Sequence, residues 1–398
     1  MPELRQNFFT KEWVIIATER AKRPEELATH RSAQPVPAFV ESCPFCPGNE
    51  SKTPPEVLRY PANSEPWAVR VIPNKFAALS SEAQPTRSLQ HLRRRIDGFG
   101  FHEVIIDSPD HARCMAMLPD EHVASILRVY KQRYQALSTD HRVNHITIFK
   151  NHGTDAGASL QHPHSQLIAT PMIPSQVRHR LFEALRHYDD VGECMFCHMV
   201  EREVEDQTRI VLKSERFVAM EVFASATPFA THIFPLRHMA SFGDISEMEV
   251  NDLARVLRTL LAKIYVGLEN PDLNFTVRSG PAEYAGARHF HWYVSVIPRL
   301  TRVAGFELGS GMFHQHGSAG SGGGIFAENR GGQGGRSRGG PVGSNWRVER
   351  CPARLEPVGL CRNSSCAPSG ACAFSDCHPR LAPRAAFFCR CAAEARCA

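Results

Sequence analysis

The residues with the most chemistry in this chain are two cysteine pairs and the histidines that follow them. Cys43 and Cys46 bracket Pro-Phe, and Cys194 and Cys197 bracket Met-Phe. Two thiolates on one tight turn supply half of a tetrahedral zinc shell. Isolated histidines can complete each shell: His111 and His162 after the first pair, His238 and either His289 or His291 after the second. Neither set leaves an open coordination position, so a structural metal is expected at each.

Residues 161–166, Gln-His-Pro-His-Ser-Gln, place two imidazoles two positions apart. Read as a strand, His162, His164 and Gln166 share one face. His162 would then reach the metal, while His164 and Gln166 face a cavity further along. A neutral imidazole is a capable nucleophile toward phosphorus, and its unperturbed pKa leaves much of it neutral near pH 7. Directly upstream, Gly153 and Gly157 relax a loop whose backbone N–H groups, with Asn151 and Ser159, can cradle phosphate oxygens. Such a loop is a weak signal alone. Placed immediately before His-x-His-x-Gln, it points to phosphoryl chemistry with His164 and Gln166 as the catalytic candidates.

The elements that must position these groups occur twice. In the first half a strand-like run, "HEVIIDSP", precedes a helix over 118–138 in which Val123, Ile126, Leu127 and Tyr130 recur at helical spacing, and "VNHITIFKN" then reads as a strand. The second half repeats strands, a long helix opened by Ser246 and Glu249 in capping-box spacing, and further strands. His162 follows His111 by 51 residues, as His289 follows His238. This repetition predicts an internal duplication and an antiparallel α+β architecture with packed helices. The expected divisions are a catalytic half over 1–174, a second half over 175–313 and an atypical tail over 314–398.

Composition supports those divisions. The 398 residues are 42% hydrophobic and 22% charged, enough for two domains of ordinary size. From His314 onward there are eleven Arg, no Lys, five acids and eight of the thirteen Cys, whereas residues 1–313 carry 35 basic and 36 acidic side chains. The net charge of +5 therefore belongs to the tail, and no nucleic-acid partner is expected for the body. The tail has too few apolar residues to offset the entropy of ordering. Its Lys-free, Gly-, Arg- and Cys-rich character is what a GC-rich gene read out of frame yields, so a frameshift after Phe313 is expected. No apolar run of about 18 residues occurs, so no membrane span is expected. The N-terminus lacks a small-residue cleavage site after an apolar core, which predicts a cytoplasmic protein. The five cysteines of the body are then expected as thiols or metal ligands.

Residues 1 to about 313 resemble the galactose-1-phosphate uridylyltransferase family of the histidine-triad superfamily. The resemblance rests on "ERAKRP" (19–24), "CPFC" (43–46), "PNKF" (73–76), "SPDH" (108–111), the stretch 151–166, "HFHWYVSVIPRL" (289–300) and "VAGFELGSG" (303–311). It implies two duplicated histidine-triad-like domains, a homodimer, zinc, and a ping-pong exchange of UMP between UDP-glucose and galactose 1-phosphate. It further implies that His164 attacks the α-phosphorus and that Gln166 donates to a non-bridging oxygen. By the same likeness Arg20 and Arg23 meet the phosphates, Asn74 the base and ribose, and Glu307 the hexose hydroxyls. The chain resembles the branch with two zinc-type sites, which includes ADP-glucose phosphorylase-like enzymes. In that branch the second-site ligand precedes a Trp, which favours His291 before Trp292, whereas the 51-residue spacing favours His289; His291 is the expected ligand. Two alternatives stand beside the uridylyltransferase: a phosphorylase with inorganic phosphate as acceptor and an ADP-sugar as donor, and an inactive zinc-stabilised nucleotide-binding protein. Tyr293 stands two residues after His291, so no second nucleophile is expected.

Overall fold

In a computed structural model, residues 2–17 and 36–315 are described. The first half contains strands β1 (Glu3–Gln6), β2 (Trp13–Ile16), β3 (Leu58–Tyr60), β4 (Val69–Pro73), β5 (Arg87–Gln90), β6 (Arg93–Ile96) and β7 (Phe101–Ile106). Helix α1 (Asp120–Ser138) and strands β8 (His145–His152) and β9 (His164–Thr170) complete it. The second half opens with helices α2 (Ser175–Val191) and α3 (Met195–Asp206), followed by β10 (Ile210–Lys213), β11 (Phe217–Glu221) and β12 (Thr231–Pro235). Then come α4 (Glu247–Gly267), β13 (Leu273–Arg278), β14 (Tyr293–Pro298), α5 (Gly305–Ser310) and β15 (Phe313–Gln315).

Ten strands form one antiparallel sheet in the order β10-β11-β12-β14-β13-β8-β9-β7-β4-β3. From the central β8–β13 seam outward, one side reads β8, β9, β7, β4, β3 and the other β13, β14, β12, β11, β10. The strand order is therefore the same in both halves, with α1 after β7 and α4 after β12 in matching places. The fold is α+β and duplicated, and the two halves share a continuous sheet instead of standing apart.

Alternation along the strands sets the two faces. Ile146 and Ile148 of β8, Leu167 and Ala169 of β9, and Phe275 and Val277 of β13 join α1 and α4 in the main core, with Val123, Ile126, Tyr130, Leu257 and Leu260. Full burial of a Leu or Phe side chain contributes about 1.5–3 kcal/mol, so this face carries most of the stability. Helix α4 starts where the capping box does: the Ser246 side chain accepts from the Glu249 N–H, and Glu249 accepts from the Ser246 N–H. The opposite face carries the candidate site.

Two boundaries differ from the sequence reading. His162 is not part of a strand; the ladder begins at His164, because Pro163 has no N–H to donate to it. The first two tail residues are also structured: β15 pairs in parallel with β2, Gln315 is buried, and His314 bonds to Glu307. Backbone pairing asks little of side-chain type, so an atypical composition does not prevent it. The expectation for the rest of the tail lies outside the described residues. No helix among those described is long and apolar enough to cross a membrane.

Candidate active site and metal centres

The loop holding the first cysteine pair is a knuckle. Asn49 Nδ2 donates to the carbonyls of Glu41 and Cys43, and the Val40 N–H points at Cys46 Sγ from 3.4 Å. Cys46 Sγ lies 3.4 Å from His111 Nδ1 and 3.6 Å from His162 Nδ1; Cys43 Sγ lies 3.7 Å from His162 Nδ1, and the two imidazole nitrogens are 3.2 Å apart. A tetrahedron with Zn–S near 2.3 Å and Zn–N near 2.1 Å has ligand–ligand edges of roughly 3.3–3.8 Å. The residues present fit such an ion. His162 Nε2 donates to the Ser108 carbonyl at 2.8 Å, which leaves the Nδ1 lone pair facing the cluster.

His164 stands beside this centre, with Phe45 of the knuckle packed edge-on against both His162 and His164. His164 Nδ1 donates to the His162 carbonyl at 2.8 Å, so the proton sits on Nδ1 and Nε2 keeps its lone pair. Burial pushes the His164 pKa below the ordinary 6.5, which keeps the ring neutral near pH 7. Gln166 shares that face of β9. His102 Nδ1 accepts from the Ala78 N–H, so its Nε2 proton goes to Gln166 Oε1 at 2.8 Å. The Gln166 amide nitrogen is thereby turned to act as a donor, and Asn74 lies against the same His102 nitrogen at 3.0 Å.

Behind His164, on the core side of the sheet, is a network absent from the sequence reading. Lys150 Nζ is 2.5 Å from Asp107 Oδ2 and donates to the His164 carbonyl at 3.0 Å. Ser165 Oγ donates to Asp107 at 2.9 Å and accepts from the Tyr130 hydroxyl at 2.5 Å. Asp107 is fully buried and Lys150 nearly so, and the pair holds the His164 carbonyl and the Ser165 hydroxyl from the buried side. A readable signal existed. Lys150 falls on the parity of Ile146 and Ile148, and a cation on a core face needs a partner.

The glycine loop is pinned by the second half. Gly153 has φ +85°, and a Cβ there would lie 1.9 Å from Asp272 Oδ1, whose other oxygen accepts from the Asp155 N–H. Asn274 Nδ2 donates to Asn151 Oδ1 and to the Ala156 carbonyl, both at 2.8 Å. Continuing the register of Phe149 opposite Gln166 places Asn151 opposite His164. Gly157 also has positive φ, and Ser159 is exposed on the loop. Glu307 lies elsewhere: it bonds to His314 Nδ1 at 2.8 Å and lines a cavity of about 310 Å³ that shares no lining residue with the His164 site. Arg20 and Arg23 lie outside the described residues.

The second cluster sits at the start of α3, where Cys194 is the N-cap and Cys197 is in the first turn. Cys197 Sγ is 3.3 Å from both His238 Nδ1 and His291 Nδ1, and one ligand atom from each of Cys194, Cys197, His238 and His291 lies within 4.8 Å of the others. His289 contributes its carbonyl to the Cys194 thiol and not its ring to the set. The reason is positional. His291 stands two residues before β14, as His162 stands two before β9, and the spacing from His238 has grown by two residues. The matching position for His164 is Tyr293.

This architecture is that of the histidine-triad superfamily in duplicated form. Within it, the chain belongs to the galactose-1-phosphate uridyl transferase family, whose N-terminal domain matches residues 1–174 and whose C-terminal domain matches residues 178–317. It is 34% identical to an ADP-glucose phosphorylase of Arabidopsis thaliana, over 78% of this chain and 88% of that one. It is 28% identical to a galactose-1-phosphate uridylyltransferase of Thermotoga maritima, over 79% of this chain and 94% of that one. The crystal structure of an Arabidopsis thaliana ADP-glucose phosphorylase with bound ADP-glucose superimposes with a TM-score of 0.72 at 32% identity, covering 82% of this chain and 98% of that one. The family and these relatives support nucleotidyl transfer as the general chemistry.

Proposed function

We propose that the protein transfers a nucleoside monophosphate from a nucleotide sugar to an acceptor phosphate in two steps through His164. The observation that carries this reading is the free Nε2 lone pair of a buried, neutral His164 beside the Gln166 amide. His164 Nε2 attacks the α-phosphorus, a P–N bond forms, and the bond to the bridging oxygen breaks with its electron pair leaving on the sugar 1-phosphate. An acceptor phosphate oxygen then attacks the same phosphorus, and the P–N bond breaks to restore neutral His164. The leaving group is a weak base, so positioning and charge stabilisation carry the rate. Gln166 donates to a non-bridging oxygen, and the N–H groups of the loop with Asn151, Gly157 and Ser159 hold the others. Arg20 and Arg23 meet the phosphates and Asn74 the base and ribose; Glu307, which lines a separate cavity, is given no part in holding the hexose.

Residues 1–174 form the catalytic half in this account, and 175–313 form the half that braces its loop. Zinc, held by Cys43, Cys46, His111 and His162 and by Cys194, Cys197, His238 and His291, fixes the two clusters and takes no part in the transfer. Two donor–acceptor pairs fit the cycle: UDP-glucose with galactose 1-phosphate, and ADP-glucose with inorganic phosphate. The higher identity to ADP-glucose phosphorylase favours the second. Exposure to each donor separately, followed by each acceptor, discriminates between them by intact mass. An adenylyl gain discharged by inorganic phosphate is expected. A uridylyl gain discharged only by galactose 1-phosphate would reverse the donor assignment, and no gain from either donor in a zinc-loaded protein would overturn the cycle.

A further inference from the structure

The second half has lost the nucleophile but retains a cavity. Arg278 faces Tyr293 across the β13–β14 register, the place that Asn151 holds opposite His164 in the first half. Beside it is a cavity of about 300 Å³ whose polar wall includes His145, Thr147, Gln176, Arg180, Arg278 and Ser279. No Asp or Glu lines it, and it shares no residue with the His164 site or with the loop over 153–159.

Its charge is uncompensated among the described residues. The Nε atoms of Arg180 and Arg278 are buried with no hydrogen-bond partner, and so is Nδ1 of His145, a side chain only 5% exposed. The cavity also meets the start of α2, a 17-residue helix whose N-cap Pro174 offers no side-chain acceptor and whose first turn holds no acid. The unpaired N–H groups of that turn and its dipole add positive potential. Burial and then the Arg278 charge hold His145 neutral, with a pKa lowered to about 4; burial, Arg278 and Arg180 hold nearby His232 near 3. The cavity's net charge is therefore that of its two guanidinium groups. Two such groups, partly stripped of water and close enough to repel, persist at a cost unless an anion joins them.

We propose that this cavity binds a phosphoryl group, as inorganic phosphate or as the headgroup of a phosphate monoester, on Arg180, Arg278 and the N-terminus of α2. A planar guanidinium pairs with two phosphate oxygens at once, and the volume leaves room for part of an ester. The site stands whether or not the His164 cycle does.

Calorimetric titration of the full zinc-loaded chain tests it, with inorganic phosphate and glucose 1-phosphate as separate probes. A binding event that survives Gln166→Ala and weakens by about 10²-fold or more in Arg180→Met/Arg278→Met is expected. Tighter binding of glucose 1-phosphate would identify the ester as ligand, and equal binding the free ion. In phosphate-free buffer the double variant should melt no lower than the parent, and added phosphate should raise the Tm of the parent only. Arg278→Lys, which keeps the charge, should retain a weakened response. Equal phosphate responses in parent and double variant would overturn the proposal. So would a loss of Tm in phosphate-free buffer that Arg278→Lys restores, because the guanidinium groups would then already have an acidic partner.

Discussion

The attack proposed for His164 needs the lone pair on Nε2. The His164 pKa lies below 6.5 because burial disfavours the charged ring, so the reactive form is already dominant at neutral pH and is lost as pH falls through the lowered value. The rate of nucleotidyl-enzyme formation should therefore be flat around pH 7 with an acid limb below pH 6.5, measured by quenched mass spectrometry; an acid limb above 6.5 would contradict the geometry. Gln166→Ala should slow that step by about 10²-fold with no change in Tm, the usual cost of one transition-state donor. Asp107→Asn leaves Lys150 as an uncompensated buried charge and should cost about 3–5 kcal/mol in urea unfolding. A cost under about 1 kcal/mol would mean that water reaches the pair. At this scale the sequence was informative where candidate ligand and candidate nucleophile lie in one short string, as from His162 to Gln166. It was silent on Asp107 and His102, which come from β7 and its exit and meet β8 and β9 only through folding.

Loops and strand starts decide which side chains arrive. Both Cys/His clusters were legible because each cysteine pair is local and its histidines close elements that recur. The choice between His289 and His291 was not legible from spacing, since the second half has two more residues between its histidines. What places the ligand is its distance from the strand start. The loop over 153–159 depends on Gly153, whose positive φ and contact with Asp272 leave no room for a Cβ. Gly153→Ala should thus cost about 1–3 kcal/mol of stability by strain and slow transfer more than Gln166→Ala does, because the loop must move. Unchanged transfer would detach the loop from the reaction.

Across the whole described molecule, one ten-stranded sheet carries both halves, and the braces on the loop over 153–159, Asp272 and Asn274, belong to the second. The duplication could be read from repeated motifs; the shared sheet could not, because β8 and β13 are 120 or more residues apart in sequence and nothing local specifies their pairing. Both clusters tie chain segments that are distant in sequence, so chelation should lower the Tm, and metal analysis should return two zinc ions per chain, one for each Cys/His set. The measurement closest to the central claim is the position of the adduct. After reaction with ADP-glucose or UDP-glucose and quenching in alkali, where phosphohistidine-type bonds survive, peptide mass spectrometry should find the nucleotidyl group on His164 and find none in His164→Ala. A nucleotidyl group on any other residue, or one that persists in His164→Ala, would contradict the account.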